Sequence, residues 1–185
     1  MKPIILASAS PRRREICDLL GLCYTVEPAL TEPEVCATLP PKEAVLQVAR
    51  HKAEEVAAKH NGEIVLGADT VVEIDDELLG KPSSPENAAA MLRRLSGKTH
   101  RVITAVWVCD GEHSEGFYDS AAVEFMPMSE EEITAYVQSG EPMDKAGAYA
   151  IQGQGMRYIR GIHGDFYTVM GLPSGRLYEF LKNHC

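Results

Sequence analysis

Apolar and polar positions along this chain switch between a period of two and a period near three and a half, and the switches lay out alternating strands and helices. Pro3 to Ala7 is an apolar run that reads as a strand, followed by the small-residue turn Ser8-Ala9-Ser10. Pro11 to about Leu20 predicts a helix, with Ser10 as its N-cap, Pro11 at the first helical position and Gly21 as its stop. Tyr24 to Glu27 reads as a second strand, before a loop rich in Pro and Glu from Pro28 to Pro41. Lys42 to His60 predicts a long helix, because Val45, Val48, Ala49, Lys52, Ala53 and Val56 share one face.

Ile64 to Ile74 is a strongly β-prone run, and the Asp75-Asp76 turn returns it through Leu78-Leu79 as a hairpin. Ser83, Ser84 and Pro85 open a third helix, with Glu86 closing a capping box on Ser83, and Gly97 ends it after about Ser96. Val102 to Cys109 and Phe117 to Phe125 read as paired strands. Ser129-Glu130-Glu131-Glu132 is a capping box for a helix to Ser139. A glycine-punctuated region then predicts short strands around Tyr149 to Gln152 and Met156 to Ile159. A last helix runs from Pro173 or Ser174 to about Asn183. The fold class is α/β, with one domain over residues 1–185.

Composition narrows the functional classes. The chain has 185 residues, 45% hydrophobic and 24% charged, as expected of a globular domain that buries a full core. The net charge of −9 argues against nonspecific nucleic-acid binding, which needs a basic face. Aromatic content of 6% argues against base-stacking platforms. Five cysteines without a C-x-x-C fit a reducing compartment better than a disulfide framework. The apolar run after Lys2 is too short for a signal-peptide core, and no run approaches transmembrane length. A cytoplasmic protein is expected, without membrane or stable nucleic-acid partners.

Against that acidic background Arg12, Arg13 and Arg14 stand at a helix start, where the positive end of the dipole disfavours cations. They make sense around a multiply charged anion, held also by backbone N–H groups and the hydroxyls of Ser8 and Ser10. Lys52, on an apolar helix face, either snorkels to the rim or presents an ammonium to phosphate. Asp69 interrupts an apolar strand. A buried carboxylate there must be paired, metal-bound or neutral, which leaves a structural salt bridge, a metal ligand or a general base. Lys81, between Gly80 and Pro82, is a turn lysine or a second phosphate contact. Glu32, in the acidic loop that also holds Glu34, could complete a Mg²⁺ site with Asp69. Gln152, in the block from Gly140 to Gly155, could donate to and accept from a base edge. The six histidines form no zinc spacing.

Taken together, Leu6-Ala7-Ser8-Ala9-Ser10-Pro11-Arg12-Arg13, Gly67-Ala68-Asp69-Thr70-Val71-Val72, Gly80-Lys81-Pro82, Ser96-Gly97-Lys98-Thr99-His100-Arg101-Val102 and Glu141-Pro142-Met143-Asp144-Lys145-Ala146-Gly147-Ala148-Tyr149 resemble the Maf family of nucleotide pyrophosphatases. The resemblance spans almost the whole chain. It implies hydrolysis of nucleoside triphosphates to monophosphate and pyrophosphate with a divalent metal, Mg²⁺ or Mn²⁺, and usually a homodimer. It implies an elongated, two-lobed mixed sheet flanked by helices around a cleft, similar to the inosine-triphosphate pyrophosphatases. Asp69 matches the family's catalytic aspartate. Arg12, Thr70 and Gln152 match positions tied to substrate choice, and Ser8, Arg13, Lys52 and Lys81 match phosphate-side positions. Ile151-Gln152-Gly153 is similar to the branch acting on dTTP and UTP, whereas the 7-methyl-GTP branch generally has glutamate at that position. Where the family often reads Asp-Ile-Asp-Glu, this chain reads Ala29-Leu30-Thr31-Glu32, keeping only the glutamate. Two other readings remain: a nucleotide-binding regulator of septum formation with little turnover, or a 7-methyl-GTP pyrophosphatase.

Overall fold

The computed structural model describes residues 2–31, 33, 35, 36, 38–111 and 113–184, the last without its side chain. The elements run β1 (Ile4–Leu6), α1 (Pro11–Leu19), β2 (Tyr24–Val26), α2 (Pro41–Ala57), β3 (Ile64–Ile74) and β4 (Glu77–Leu79). They continue through α3 (Pro85–Leu95), β5 (Thr99–Asp110), β6 (His113–Phe125), α4 (Glu130–Gln138), β7 (Ile159–His163), α5 (Phe166–Met170) and α6 (Ser174–His184). The strands order as β2-β1-β3-β5-β6-β7, with β4 also on β3. Parallel pairs (β1 with β2, β1 with β3) and antiparallel pairs (β3 with β4, β6 with β7) make the sheet mixed, as expected of the fold class.

The chain divides into two compact units. The first holds Met1–Asp69, Thr104–Asp119 and Gly171–Cys185; the second holds Thr70–Ile103 and Ser120–Met170. In the first unit, Ile5, Ala7, Ala53, Val56, Val65 and Cys109 pack as one core cluster. The apolar face predicted for α2 is the buried one, and it includes Lys52. In the second unit, Leu92, Leu95, Val102, Val123, Phe125, Ile133, Tyr136 and Tyr149 belong to a larger cluster. Burying one leucine or phenylalanine side chain of this kind contributes about 1.5–3 kcal/mol.

Most predicted elements stand within a few residues of their expected ends, and four details differ. Ser10 flanks α1 but its side chain makes no capping bond. Its own backbone N–H donates to Ser8 Oγ at 3.3 Å instead. The cap of α3 is Ser84, not Ser83: Asn87 N–H donates to Ser84 Oγ at 3.1 Å, and Ser83 N–H donates to Asn87 Oδ1 at 3.1 Å. Asparagine thus replaces the expected glutamate of a capping box, one residue later in register. The segment 149–152 is not a strand, and Gln154–Tyr158 is a 3₁₀ turn. Gly147 at φ 67° and Ala148 at φ 60° turn the chain out of the extended region before it. The short helix α5 was not expected. Asp165 starts it, its carboxylate accepting from the N–H of Thr168 at 2.8 Å. The capping box of α4 is present in both directions, as expected.

The hairpin between β3 and β4 turns on Asp75 and Asp76, at φ 50° and 61°. Both lie in the left-handed region, as a two-residue turn matching strand twist requires.

Candidate active site

In the first unit, β1 and β3 run parallel with Leu6 opposite Leu66, and Ala7 N–H donates to Leu66 O at 2.8 Å. β1 ends at Leu6, whereas β3 continues through Gly67-Ala68-Asp69 to Ile74, so the turn after β1 begins where β3 is still in mid-strand. Carboxyl ends of parallel strands are where ligand groups collect in α/β sheets.

Arg13 is buried at the start of α1. Its Nε donates to Gly171 O at 2.9 Å and its Nη1 to Ser8 Oγ at 2.9 Å. The guanidinium fork thus ties the turn after β1 to the segment that leads into α6. Arg12, its neighbour, is half-buried.

Lys52 and Asp69 are the second pair. Lys52 is 8% exposed and Asp69 9%, and Lys52 Nζ donates to Asp69 Oδ1 at 2.8 Å. Lys52 therefore does not snorkel; its ammonium is held inside against the carboxylate. Gly67 makes this reach possible. A Cβ there would sit 2.4 Å from Ala49 O and 2.7 Å from Ala53 N, so only glycine lets the α2 backbone lie this close to β3. Asp69 is two residues further along the strand.

Thr70, Lys81 and Gln152 belong to the second unit. Thr70 is half-buried on β3, and Lys81 is exposed just after β4. Gly80 O, beside it, accepts from Gly147 N–H at 3.0 Å, which fastens the Lys81 turn to the glycine-rich segment. Gln152 is exposed at the tip of that segment. Glu32 lies outside the described residues. Its neighbour Thr31 is anchored to α2, its N–H donating to Glu55 Oε2 at 3.1 Å and its hydroxyl lying 2.6 Å from His51 Nε2.

The segment that carries Gln152 is held by side chains to which the sequence reading gave no role. Tyr136 OH donates to Glu141 Oε2 at 2.7 Å and accepts from Ala150 N–H at 3.0 Å. The Glu141 carboxylate also accepts from the N–H groups of Gln154 at 3.0 Å and Gly155 at 3.1 Å. Burial pushes the Glu141 carboxyl upward, but these hydrogen bonds outweigh it and hold it below the ordinary range. Burial, and then the bond to Glu141, raise Tyr136. Next to this, Tyr149 OH and His100 Nε2 are 2.8 Å apart. Burial lowers the His100 imidazole to about 4, so it is neutral near pH 7. The spacing of Tyr136 on the buried face of α4, and a glutamate just beyond Gly140, were the available signals.

Among the described residues no group of three His, Cys, Asp or Glu side chains could hold a metal ion by itself. Asp69 alone still fits Mg²⁺, which takes one or two carboxylates and fills the rest with water and phosphate oxygens.

The fold of this mixed α/β sheet is similar to that of solved structures. The Ham1 protein of Staphylococcus aureus matches with a TM-score of 0.53 at 17% identity over 100% of both chains. A HAM1 protein from Coxiella burnetii matches with 0.51 at 17% identity, over 99% of this chain and 98% of that one. At those identities the likeness concerns the fold. The family is shown by sequence: the chain matches the Maf model, described as Maf-like protein, over residues 3–184, and it belongs to that family. Relatives named dTTP/UTP pyrophosphatase occur in Bacillus velezensis, 48% identical over 98% of this chain and 96% of that protein, and in Bacillus mycoides, 46% identical over 98% and 95%.

Proposed function

We propose that this protein is a nucleoside triphosphate pyrophosphatase that cleaves dTTP and UTP between the α- and β-phosphates, leaving the monophosphate and pyrophosphate. The observation that carries the reading is the buried Lys52–Asp69 pair, its carboxylate in the middle of β3, in the same unit as the Ser8–Arg13 turn that follows the neighbouring strand β1. Full-length relatives of that named activity support the substrate class. The catalytic domain is the whole of residues 1–185, it works as a homodimer, and its compartment is the cytoplasm. No helix of the described residues is long and apolar enough to cross a membrane.

Asp69 is the group that orients and deprotonates the attacking water. Lys52 aims its carboxylate, the ammonium donating to Asp69 Oδ1 at 2.8 Å. Arg12, Lys52 and Lys81 meet the triphosphate, stabilising charge that grows on its oxygens as the α–β bond breaks. Arg13 acts through Ser8, fixing the turn whose serine and backbone N–H groups face the phosphates. Thr70 and Gln152 read the base. Asp69, with Glu32 as a second carboxylate, would hold Mg²⁺ or Mn²⁺, which when bound neutralises phosphate charge and favours departure of pyrophosphate.

The test is pyrophosphate release from a panel of triphosphates with each metal. Preferential cleavage of dTTP and UTP, abolished by Asp69→Asn, is the expected result. Release from 7-methyl-GTP alone keeps the chemistry and overturns the substrate assignment. Nucleotide binding with no release from any member overturns the enzyme reading and favours a binding regulator.

A further inference from the structure

Gln152 cannot select a base by itself. Its amide offers one acceptor and two donors, and rotating it by half a turn satisfies either a uracil edge or a cytosine edge. Discrimination then depends on what holds the amide in place. The loop that carries it is held in an unusual way. Three buried or half-buried polar atoms converge behind it: Tyr136 OH and the two oxygens of Glu141. Tyr136 donates to Glu141 and receives Ala150 N–H on one side of Gln152, and Glu141 receives the N–H groups of Gln154 and Gly155 on the other. Gln152 therefore stands at the apex of a turn whose two feet are tied to one phenol–carboxylate pair.

The fit is close enough to exclude side chains. A Cβ on Gly153 would lie 2.3 Å from Glu141 Oε1, and one on Gly155 would lie 2.5 Å from Ala150 O and 2.6 Å from Tyr136 OH. Ala148, fully buried, is held at φ 60°, a conformation that costs a non-glycine residue of order 1–3 kcal/mol and persists only where surrounding contacts dictate it. A carboxylate suits the role because it only accepts. It takes three donors at once, whereas an amide would turn a donor against one of them.

We infer that Tyr136 and Glu141 are positioning residues for base selection: by fixing both feet of the Ala150–Gly155 turn they set where Gln152 meets the base. The inference rests on the reading of this protein as a nucleotide-binding Maf domain in which Gln152 contacts the base, and it does not require turnover.

The experiment measures calorimetric affinities of the non-hydrolysable α,β-imido analogues of dUTP and dCTP for the wild-type protein, Tyr136→Phe and Glu141→Gln. Ile133→Val, a methyl deletion on the same helix, controls for general loosening. Thermal unfolding is followed in parallel. The expected result is a preference for the dUTP analogue that falls about tenfold or more in both variants and stays within about twofold in Ile133→Val. Gly153→Ala, which leaves the core intact and pushes directly on Glu141, is expected to lose the preference as well, and it carries the test if the Tyr136 variant does not fold. A preference unchanged in Tyr136→Phe, Glu141→Gln and Gly153→Ala, with only the melting temperature lowered, overturns the inference and leaves the network structural. A wild-type protein that binds both analogues equally overturns it too. Selective binding without pyrophosphate release from dTTP or UTP refutes the enzymatic reading alone, and the affinity ratios still decide this one.

Discussion

The Lys52–Asp69 pair is buried and the Tyr136–Glu141 network half-buried; both are hydrogen-bonded and built around one carboxylate, but different forces hold them. In the first unit the carboxylate faces a full positive charge at 2.8 Å. In the second it accepts from a phenol and two backbone N–H groups, all neutral. The charge pair fixes the direction of a reactive group inside the protein. The cradle's direct bonds to the carboxylate come from neutral donors, with Lys145 acting on it without a direct bond to its oxygens, and its product is the shape of a turn. Removing a partner from the first should therefore damage chemistry and stability together. Removing one from the second should damage shape first.

The comparison breaks most sharply at Asp69. Asp69→Asn should lower the rate of pyrophosphate release by about 10²–10⁴, the usual worth of a positioned general base, in assays at saturating substrate. Near-wild-type turnover in that variant would dissolve the distinction between the two carboxylates. Lys52→Met should follow, with a stability loss of about 3–5 kcal/mol in urea unfolding, because it strips the ammonium from a buried carboxylate. A loss under about 1 kcal/mol would mean the pair behaves like a surface ion pair.

The second region has its own handle in pH. The His100 imidazole is lowered to about 4 by burial, while in the unfolded chain it titrates near 6.5. Between those values the unfolded state binds the additional proton, so folding stability falls as pH drops from about 6.5 to about 4. The loss should total about 3 kcal/mol, and His100→Gln should flatten it in unfolding curves taken across that range. An equally steep acid loss in the variant would assign the dependence elsewhere. The smallest effect lies at the hairpin turn: Asp76→Gly, at φ 61°, should change stability by no more than about 1 kcal/mol and leave every activity intact.

The legibility of each region in the sequence follows from the same contrast. Lys52 and Asp69 stood out because charge on an apolar helix face and inside an apolar strand violates local rules, and such violations mark functional sites. Their mutual bond was not readable, since Gly67 brings α2 onto β3 by a close approach that no local pattern encodes. Arg13 carries a charge signal that suggests a ligand contact, and its guanidinium reaches Ser8 Oγ and Gly171 O, the latter 158 residues away in the chain, which no local pattern encodes. Tyr136 and Glu141 violated nothing. A tyrosine on a helix and a glutamate beyond it are ordinary, so nothing local marks the network, and the segment it shapes has a strand-like pattern but no strand.

The sequence by itself determined most of the elements and their order, the family and the residue types of the Lys52–Asp69 site, because periodicity, caps and motif spacing are local and survive without a third dimension. Tertiary structure alone decided which groups face each other: that Lys52 turns inward to Asp69, that Arg13 braces Ser8, and that Glu141 gathers the backbone around Gln152. The physical reason is that hydrogen bonds and ion pairs act over about 3 Å in space, and separation along the chain places no bound on which residues come within that distance.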